Sequence, residues 1–161
     1  GGTLYFVTPG KVIEPLNTDS LPLIVGYSGI KADTVTLINQ VSEKAKENPE
    51  VVEDIYNSIG KLAEQAKSAL SSKDWSALGG LMNENQKLLN KLGVSTKKLD
   101  NMISAATAAG AYGAKLSGAG GGDCMIALHS AAGKLSIEAD IQKAGGQIID
   151  VKVNAEGVRI E

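Results

Sequence analysis

The amino-acid sequence predicts an α+β domain in which a mostly antiparallel four-stranded sheet is covered by helices and preceded by a β-hairpin. Three observations support this fold class. Apolar, strand-like runs occur towards both ends of the chain. Between them lie four consecutive amphipathic segments with apolar residues three and four positions apart, which indicates a layer of four helices. A chain of 161 residues is also long enough to bury one substantial core.

The composition excludes several classes of function. The chain has 43% hydrophobic and 21% charged residues and a net charge of −2, so it has no basic field that would attract a nucleic acid. No apolar run approaches the roughly 20 residues of a membrane-spanning helix. The single cysteine cannot form an intrachain disulfide, which is typical of a reducing compartment. We therefore predict a cytoplasmic protein that binds neither nucleic acid nor a membrane.

The chain opens with a β-hairpin, which we assign to residues 1–16. Thr3–Thr8 is rich in β-branched and aromatic residues, Pro9–Gly10 forms a turn, and Lys11–Ile13 continues as the second strand. An isolated hairpin is marginally stable in water, so this one is expected to pack on another surface. The main domain is assigned to residues 17–161, and its first strand is predicted at Leu21–Tyr27.

Four amphipathic helices follow, separated by capping and helix-breaking residues. The expected starts and ends are marked by Asp33, Asn48–Pro49, Asp74, Gly93, Ser95 and Gly110. The expected inward-facing stripes are Val35, Ile38, Val41 and Ala45; then Val52, Ile55, Ile59, Leu62, Ala66 and Leu70; then Leu78, Met82, Asn85, Leu89 and Leu92; and finally Leu99, Met102, Ile103 and Ala106.

The last part of the chain supplies the other strands of the predicted sheet. Cys124–Leu128 is apolar on both faces, as a central covered strand should be. A helix over about 132–144 leads to Ile148–Val153, in which apolar and polar residues alternate. A turn at 154–157 then leads to a short last strand, Val158–Ile160.

The most informative stretch is the glycine-rich segment Lys115–Cys124. Glycines that adopt positive φ can direct successive amides into one concavity and form a nest for an anion, which we expect to be a phosphate. A strand follows these glycines, whereas in a Walker loop or a dinucleotide fingerprint the glycines open a helix, so neither of those motifs fits. The alternative is a ligand-free connection between a helix and a strand.

Two segments resemble the GHMP small-molecule kinases, a family that includes mevalonate, phosphomevalonate, homoserine and galactose kinases. The glycine-rich segment KLSGAGGGDC resembles their third motif, and MNENQKLLNKLGVS resembles a helical segment that the mevalonate kinases carry before it. The opening Gly1–Tyr5 also fits, so the resemblance covers essentially the whole chain but only the C-terminal half of such a kinase. It implies ATP- and Mg²⁺-dependent phosphorylation of mevalonate, in isoprenoid biosynthesis.

The resemblance also implies which residues form the site. The residues expected at the ATP phosphates are Lys115, Ser117, Gly118, Ala119, Gly120, Gly121 and Gly122. Thr34 is expected to hydrogen-bond the phosphoryl acceptor, although it is equally well explained as the first residue of a helix, and Lys115 as a solvated lysine. We expect a bulky residue at Gly120 or Gly121 to reduce activity more than stability.

Other polar residues are better explained by structure than by chemistry. Asn85 shares a stripe with apolar residues, so its amide is expected to face the interior and to need a hydrogen-bond partner. Gln86 stands where the mevalonate kinases often carry a histidine. Cys124 is interpreted as a packing residue, and the single histidine, His129, as a strand-end residue, which excludes a histidine-based triad.

The resemblance implies no catalytic or metal-binding residue in this chain. In the family these residues belong to the N-terminal kinase domain, which carries the ATP loop, binds most of the ATP and Mg²⁺, and places its catalytic Asp shortly before the position of Gly1. The hairpin would be a remnant of that domain, and partners would be the N-terminal domain, mevalonate and a second copy of the chain. One alternative is a phosphomevalonate kinase, because Asp123 after the glycines resembles the end of the loop in that relative equally well. The other is a non-catalytic ligand-binding or dimerisation module.

Overall fold

A computed structural model describes residues 2–16, 18 and 21–152. In chain order the elements are β1 (Thr3–Val7), β2 (Val12–Leu16), β3 (Leu23–Tyr27), α1 (Thr34–Glu47), α2 (Pro49–Ser71), α3 (Trp75–Leu92), α4 (Lys97–Ala108), β4 (Gly113–Ser117), β5 (Cys124–Leu128), α5 (Lys134–Lys143) and β6 (Gln147–Ile149). Within these described residues, no helix is both long and apolar enough to cross a membrane.

The predicted α+β class is confirmed, with a four-stranded sheet in the order β4-β5-β3-β6. All three neighbouring pairs are antiparallel, and Leu128 of β5 lies between Leu23 of β3 and Gly113 of β4. The strands at β3 and β5 match the prediction apart from two residues at the start of β3. These strands form the central pair of the sheet.

The two outer strands differ from the prediction. β4 was missed, because its residues include a glycine, an alanine and a lysine, which have low β propensity. The strand predicted at Ile148–Val153 is shorter, since only Gln147–Ile149 pairs with β3 and residues 150–152 continue without strand pairing. Val153, the turn at 154–157 and the strand at Val158–Ile160 lie outside the described residues.

One face of the sheet forms the main core with α4 and α5. The side chains of this core that are almost fully buried include Ile24, Leu99, Met102, Leu116, Met125, Ala127, Ile137 and Ile141. The helices approach β3 closely at Gly26, where an added Cβ would lie 3.1 Å from Ile141 and 3.2 Å from Met102. All four inward residues predicted for α4 are buried.

The opposite face is covered by α2 and α3 at one end. Leu23, Ile126 and the fully buried Leu128 pack there against residues of the two helices, among them Leu78 and Met82. The rest of this face, towards the end of β4, is half-buried. The sheet therefore has one closed face and one face that is only partly covered within the described part of the chain.

The helix boundaries follow the predicted caps with one correction, in α4. Asp33 accepts a hydrogen bond from the Thr36 N–H at 3.1 Å, and Gly93 ends α3 with a φ of 91°. α4 is capped by Thr96 rather than by Ser95. In α1 the predicted stripe was partly wrong, because Val35 and Ile38 are 69% and 60% exposed. The half-buried apolar residues of α1 are instead Leu37, Val41 and Ala45.

The hairpin forms a separate two-stranded sheet, in agreement with the prediction. β1 and β2 pair from Thr3 with Leu16 to Val7 with Val12. One face is directed towards α2, where Lys67 contacts Glu14 at 2.6 Å and lies 5.0 Å from the Tyr5 ring centre. Because this ion pair is partly exposed, it contributes at most about 1 kcal/mol. The other face carries the exposed side chains Leu4, Phe6 and Ile13.

Candidate functional site

The glycine-rich loop connects two antiparallel strands. It runs from Gly118 to Asp123 between β4 and β5, which are paired up to Ser117 and Cys124. The element before the loop is therefore a strand and not the expected helix. Gly118, Gly120, Gly121 and Gly122 all have positive φ, between 72° and 150°. The loop thus adopts the backbone conformations for which glycine was expected.

The second half of the loop is pressed against two neighbouring backbone segments. The Gly121 N–H donates to the Val94 carbonyl at 2.7 Å, and a Cβ at Gly120 would lie 2.1 Å from the same oxygen. A Cβ at Gly122 would lie 2.6 Å from the Ile30 carbonyl oxygen. These distances leave no room for a side chain, so these glycines are needed for packing. We call residues 120–122 the base of the loop.

The first half of the loop is open. Gly118 and Ala119 are exposed, and an added Cβ at Gly118 would meet no atom within 4 Å. We call these two residues the tip of the loop. Within the described part of the chain, the N–H of Gly121 is paired, whereas the N–H groups of Gly118, Ala119, Gly120 and Gly122 have no hydrogen-bond partner. A loop with several unpaired amides is the kind of nest in which an anion binds.

The loop is tied to the segment that leads into α1. Asp123 donates its backbone N–H to the Ile30 carbonyl at 2.7 Å, and its own carbonyl accepts from the Ser28 N–H at 2.8 Å. Its Oδ1 atom accepts from the Ala32 N–H at 3.2 Å. Asp123 thus joins the glycine loop to the start of α1, two segments about ninety residues apart that the sequence analysis assigned to the site.

Thr34 is the first residue of α1 and is exposed. It lies two residues after Ala32, whose N–H donates to the Asp123 carboxylate, so this bond fixes the chain just before Thr34. The cap of this helix is Asp33, whose carboxylate accepts from the backbone N–H and the hydroxyl of Thr36. The hydrogen bond from the Thr36 hydroxyl, and secondly that from the Thr36 N–H, lower the pKa of Asp33 below its ordinary value. Thr34 therefore begins α1 with an exposed side chain, two residues after the point at which Asp123 holds the chain.

Lys115 and Ser117 lie on the partly covered face of the sheet, since they pair with Ile126 and Cys124. The half-buried Lys115 lines a cavity of about 190 Å³ between α2 and α3, whose other lining residues are apolar except Asn85. Its Nζ donates to the Leu116 carbonyl at 2.6 Å, and burial lowers the pKa of its ammonium group. Its predicted contact with a phosphate stays a prediction, as does that of Ser117.

The sequence prediction missed how α3 covers the outer edge of the sheet. The Asn83 Oδ1 atom accepts from the Ala114 N–H at 3.0 Å, and the Gln86 Oε1 atom accepts from the Leu116 N–H at 2.9 Å. Two amide side chains one helical turn apart therefore take the place of a neighbouring strand. Their spacing was visible in the sequence, but the strand that they cover was not recognised.

Gln86 is the buried amide of α3, and the expectation for Asn85 was wrong by one residue. Asn85 is half-buried at the cavity, whereas Gln86 is only 6% exposed. The Nε2 atom of Gln86 lies within 3.3 Å of acceptors in the rest of the network, which are Asn90, Ser95 and Asp100. Ser95 in turn donates to Asp100 at 2.7 Å. This network fixes the strand that leads into the loop.

Cys124 and His129 take no part in a catalytic arrangement within the described residues. Burial, and secondly the charge of Asp123, raise the pKa of the half-buried Cys124 thiol. His129 follows β5, and its Nδ1 atom lies 2.8 Å from the Ser130 carbonyl oxygen. Among the described residues, no three or more His, Cys, Asp or Glu side chains are grouped so that they could hold a metal ion.

Comparison with known proteins supports the family that the two motifs indicate. The family model "GHMP kinases C terminal" matches residues 66–146. The mevalonate kinase of Pyrococcus horikoshii is 45% identical over 166 aligned residues, which cover 100% of this chain but 49% of that protein. The chain therefore spans about half the length of the curated relatives that it matches.

Solved structures share the fold. The mevalonate kinase of L. major in complex with R-mevalonate has a TM-score of 0.80 at 30% identity, covering 87% of this chain and 44% of that one. A Streptococcus pneumoniae phosphomevalonate kinase in complex with phosphomevalonate and AMPPNP has a TM-score of 0.74, covering 86% of this chain and 41% of that one. At 21% identity this second likeness supports the fold alone.

Proposed function

The chain belongs to the GHMP kinases, as their C-terminal domain, and from this premise we propose that it is the C-terminal part of a mevalonate kinase. The complete enzyme phosphorylates the primary hydroxyl of mevalonate with ATP and Mg²⁺, a step of isoprenoid biosynthesis in the cytoplasm. The proposal is supported by 45% identity with a mevalonate kinase along the whole chain and by the likeness to a kinase that binds R-mevalonate.

The observation that carries the proposal is the set of unpaired amides in the glycine loop. The N–H groups of Gly118, Ala119, Gly120 and Gly122 have no partner in the described chain, and the two tip residues are exposed. Amides of this kind stabilise the negative charge of phosphate oxygens without needing a cation. In the proposed enzyme, the tip binds phosphate oxygens of ATP, and Ser117 offers its hydroxyl beside them.

The connection through Asp123 supports the acceptor side of the proposed site. In the proposed enzyme, the exposed Thr34, two residues after Ala32, orients the mevalonate hydroxyl. When bound, ATP supplies the phosphoryl group and Mg²⁺ neutralises the charge that develops during transfer. This chain therefore positions both substrates, whereas the catalytic Asp and most of the ATP and Mg²⁺ ligands belong to the N-terminal kinase domain.

The N-terminal domain is proposed to pack on the outer face of the hairpin. Leu4, Phe6 and Ile13 are 51%, 58% and 61% exposed there, and the pairing of Phe6 with Ile13 makes one continuous apolar strip. This agrees with a boundary in which residues 1–16 belong to the N-terminal domain and 17–161 form the C-terminal domain. Without that domain, the strip is expected to drive self-association of the chain.

Self-association can be measured by sedimentation across a concentration series. The Phe6→Lys substitution should keep the chain monomeric, whereas Leu135→Lys on α5, where the leucine is 79% exposed, should leave association unchanged. A parent chain that stays monomeric at every concentration would argue against the hairpin as a docking surface.

The function is tested with the polypeptide that combines this chain with the N-terminal kinase domain. With ATP and Mg²⁺ it should phosphorylate mevalonate, and this chain alone should not. Turnover of phosphomevalonate but not of mevalonate would favour the phosphomevalonate kinase alternative. Turnover of neither would favour a non-catalytic module.

The role of the loop tip is tested with a pair of matched substitutions. Gly118 and Gly110 have φ of 88° and 95°, and an added Cβ at either would meet no atom within 4 Å. Gly118→Ala and Gly110→Ala therefore impose the same backbone strain. We expect only Gly118→Ala to raise the KM for ATP, by about tenfold, which corresponds to about 1.4 kcal/mol of lost phosphate binding. If the two substitutions change the KM for ATP equally, the tip of the loop does not bind ATP.

A further inference from the structure

Asp123 is the one residue of the loop that adopts a left-handed conformation without being glycine. Its φ is 53°, a value that glycine adopts without strain and that aspartate tolerates better than most residues. A glycine here would close the loop equally well. The aspartate adds one interaction that a glycine cannot make, because its Oδ1 atom accepts a hydrogen bond from the Ala32 N–H at 3.2 Å.

This bond reaches a part of the connection before α1 that the loop backbone does not reach. The backbone of Asp123 is bonded to Ser28 and Ile30, close to the end of β3. The Ser28 hydroxyl bonds the Ile30 backbone and so supports the same two residues. Beyond Ile30, the Asp123 carboxylate holds the chain at Ala32, two residues before Thr34.

We propose that Asp123 is a positioning residue that couples the phosphate side of the site to its acceptor side. Its carboxylate sets the start of α1, and therefore the Thr34 hydroxyl, relative to the glycine loop. Asp123 acts through Ala32 and Thr34 and does not itself touch a substrate. This inference rests on the proposed function, in which the loop binds ATP phosphates and Thr34 binds mevalonate.

The inference predicts a division between stability and acceptor binding. Asp123→Gly relieves the positive φ but removes the bond to Ala32, so the chain should remain as stable as the parent. Asp123→Asn keeps an Oδ1 acceptor and a side chain that tolerates this conformation, so it should preserve both properties. A residue needed for packing alone would instead change stability and leave acceptor binding unaltered in the folded protein.

The experiment compares both variants in the polypeptide that carries this chain and the N-terminal kinase domain. Asp123→Gly should raise the KM for mevalonate about fivefold while the KM for ATP stays within about twofold, as expected for one lost hydrogen bond on the acceptor side. Asp123→Asn should stay within about twofold of the parent for both. Amide hydrogen exchange at Ala32 and Thr34 should accelerate in Asp123→Gly and not in Asp123→Asn.

The outcomes separate this inference from the proposed function. If the parent does not phosphorylate mevalonate, the proposed function and the acceptor role of Thr34 both fail. If the parent is active but Asp123→Gly leaves the KM for mevalonate and the exchange at Ala32 unchanged, only the coupling role of Asp123 is overturned. An equal rise in both KM values, or a KM effect in Asp123→Gly that Asp123→Asn shares, would also overturn it.

Discussion

The tip and the base of the glycine loop have nearly the same backbone conformation but opposite surroundings. Gly118 at the tip and Gly120 at the base have φ of 88° and 86°. An added Cβ would meet nothing within 4 Å at Gly118, whereas at Gly120 it would lie 2.1 Å from the Val94 carbonyl oxygen. The two positions look alike in the sequence, yet one is free for a ligand and the other is filled by the protein itself.

This difference shows that one motif combines two physical requirements. At the base, glycine is needed because the link after α3, at Val94, and the link before α1, at Ile30, both approach the loop backbone. At the tip, glycine is needed for the backbone conformation that leaves amides open. The expectation that bulky residues at Gly120 would reduce activity more than stability is therefore reversed, because the structure predicts loss of packing first.

The largest expected effect tests this comparison directly. Gly120→Val and Gly118→Val introduce the same side chain at almost the same φ, so the backbone strain of about 1–3 kcal/mol is common to both. Gly120→Val adds the overlap with the Val94 carbonyl and should lower the free energy of unfolding by more than about 4 kcal/mol. Urea denaturation of both variants measures the difference. Equal destabilisation would show that the base is not docked on Val94.

The second prediction concerns the strand that enters the loop. Gln86→Leu should lower the free energy of unfolding by about 2–3 kcal/mol, because the Leu116 N–H would lose its acceptor in a buried position. The neighbouring substitution Asn85→Leu should change it by less than about 0.5 kcal/mol, since Asn85 lies half-buried at the apolar cavity. Thermal and urea unfolding of the two variants measures this difference in stability. A larger effect at Asn85 than at Gln86 would contradict the observed network.

The sequence allowed the fold class, the hairpin, the central strands and most helix caps to be predicted because these depend on local patterns. Asp33 and Gly93, for example, are recognisable from their position next to an apolar stripe. The GHMP resemblance likewise depended on contiguous motifs, and the family match includes both of them.

What could not be predicted depends on contacts between distant segments. β4 has little intrinsic preference for a strand and is formed because it pairs with β5 and because Asn83 and Gln86 accept its outward N–H groups. The exposure of Val35 and Ile38 has the same origin, since an amphipathic pattern does not determine which flank of a helix meets its neighbour. The division of the loop into base and tip also depends on distant backbone, at Val94 and Ile30.

The third prediction concerns the lysine that precedes the tip. Lys115→Met should stabilise the chain at pH 7 and raise the Tm by about 2–4 °C, because it removes a cation from a half-buried position beside an apolar cavity. Burial lowers the pKa of Lys115 in the folded chain, so the unfolded chain binds this proton more tightly. Below the lowered pKa, the buried charge of Lys115 therefore reduces the free energy of unfolding of the parent. This reduction is lost as the pH rises towards the pKa that Lys115 has in the unfolded chain.

The stability advantage of Lys115→Met should consequently shrink as the pH is raised above neutrality, which urea denaturation at a series of pH values can measure. Lys31→Met is the control, because it removes the same charge from an exposed position. An advantage that does not depend on pH would mean that the methionine acts by packing alone. A loss of stability would show that the contact of the Lys115 ammonium with the Leu116 carbonyl outweighs the cost of its burial.

The smallest expected effect is at the exit of the loop, where the thiol of Cys124 follows Asp123. Burial raises the pKa of this thiol first, and the charge of Asp123 raises it further. Asp123→Asn removes the charge but keeps the acceptor for Ala32, so the pKa should fall while remaining above that of an exposed cysteine. A lower pKa means more thiolate at a given pH, and therefore faster alkylation by iodoacetamide.

Because the chain has one cysteine, the pH dependence of alkylation reports this thiol alone. Glu84→Gln, on the exposed side of α3, makes the same change in net charge and should leave the alkylation midpoint unchanged. If Asp123→Asn does not lower that midpoint, the Asp123 carboxylate is not held close enough to Cys124 to affect its thiol.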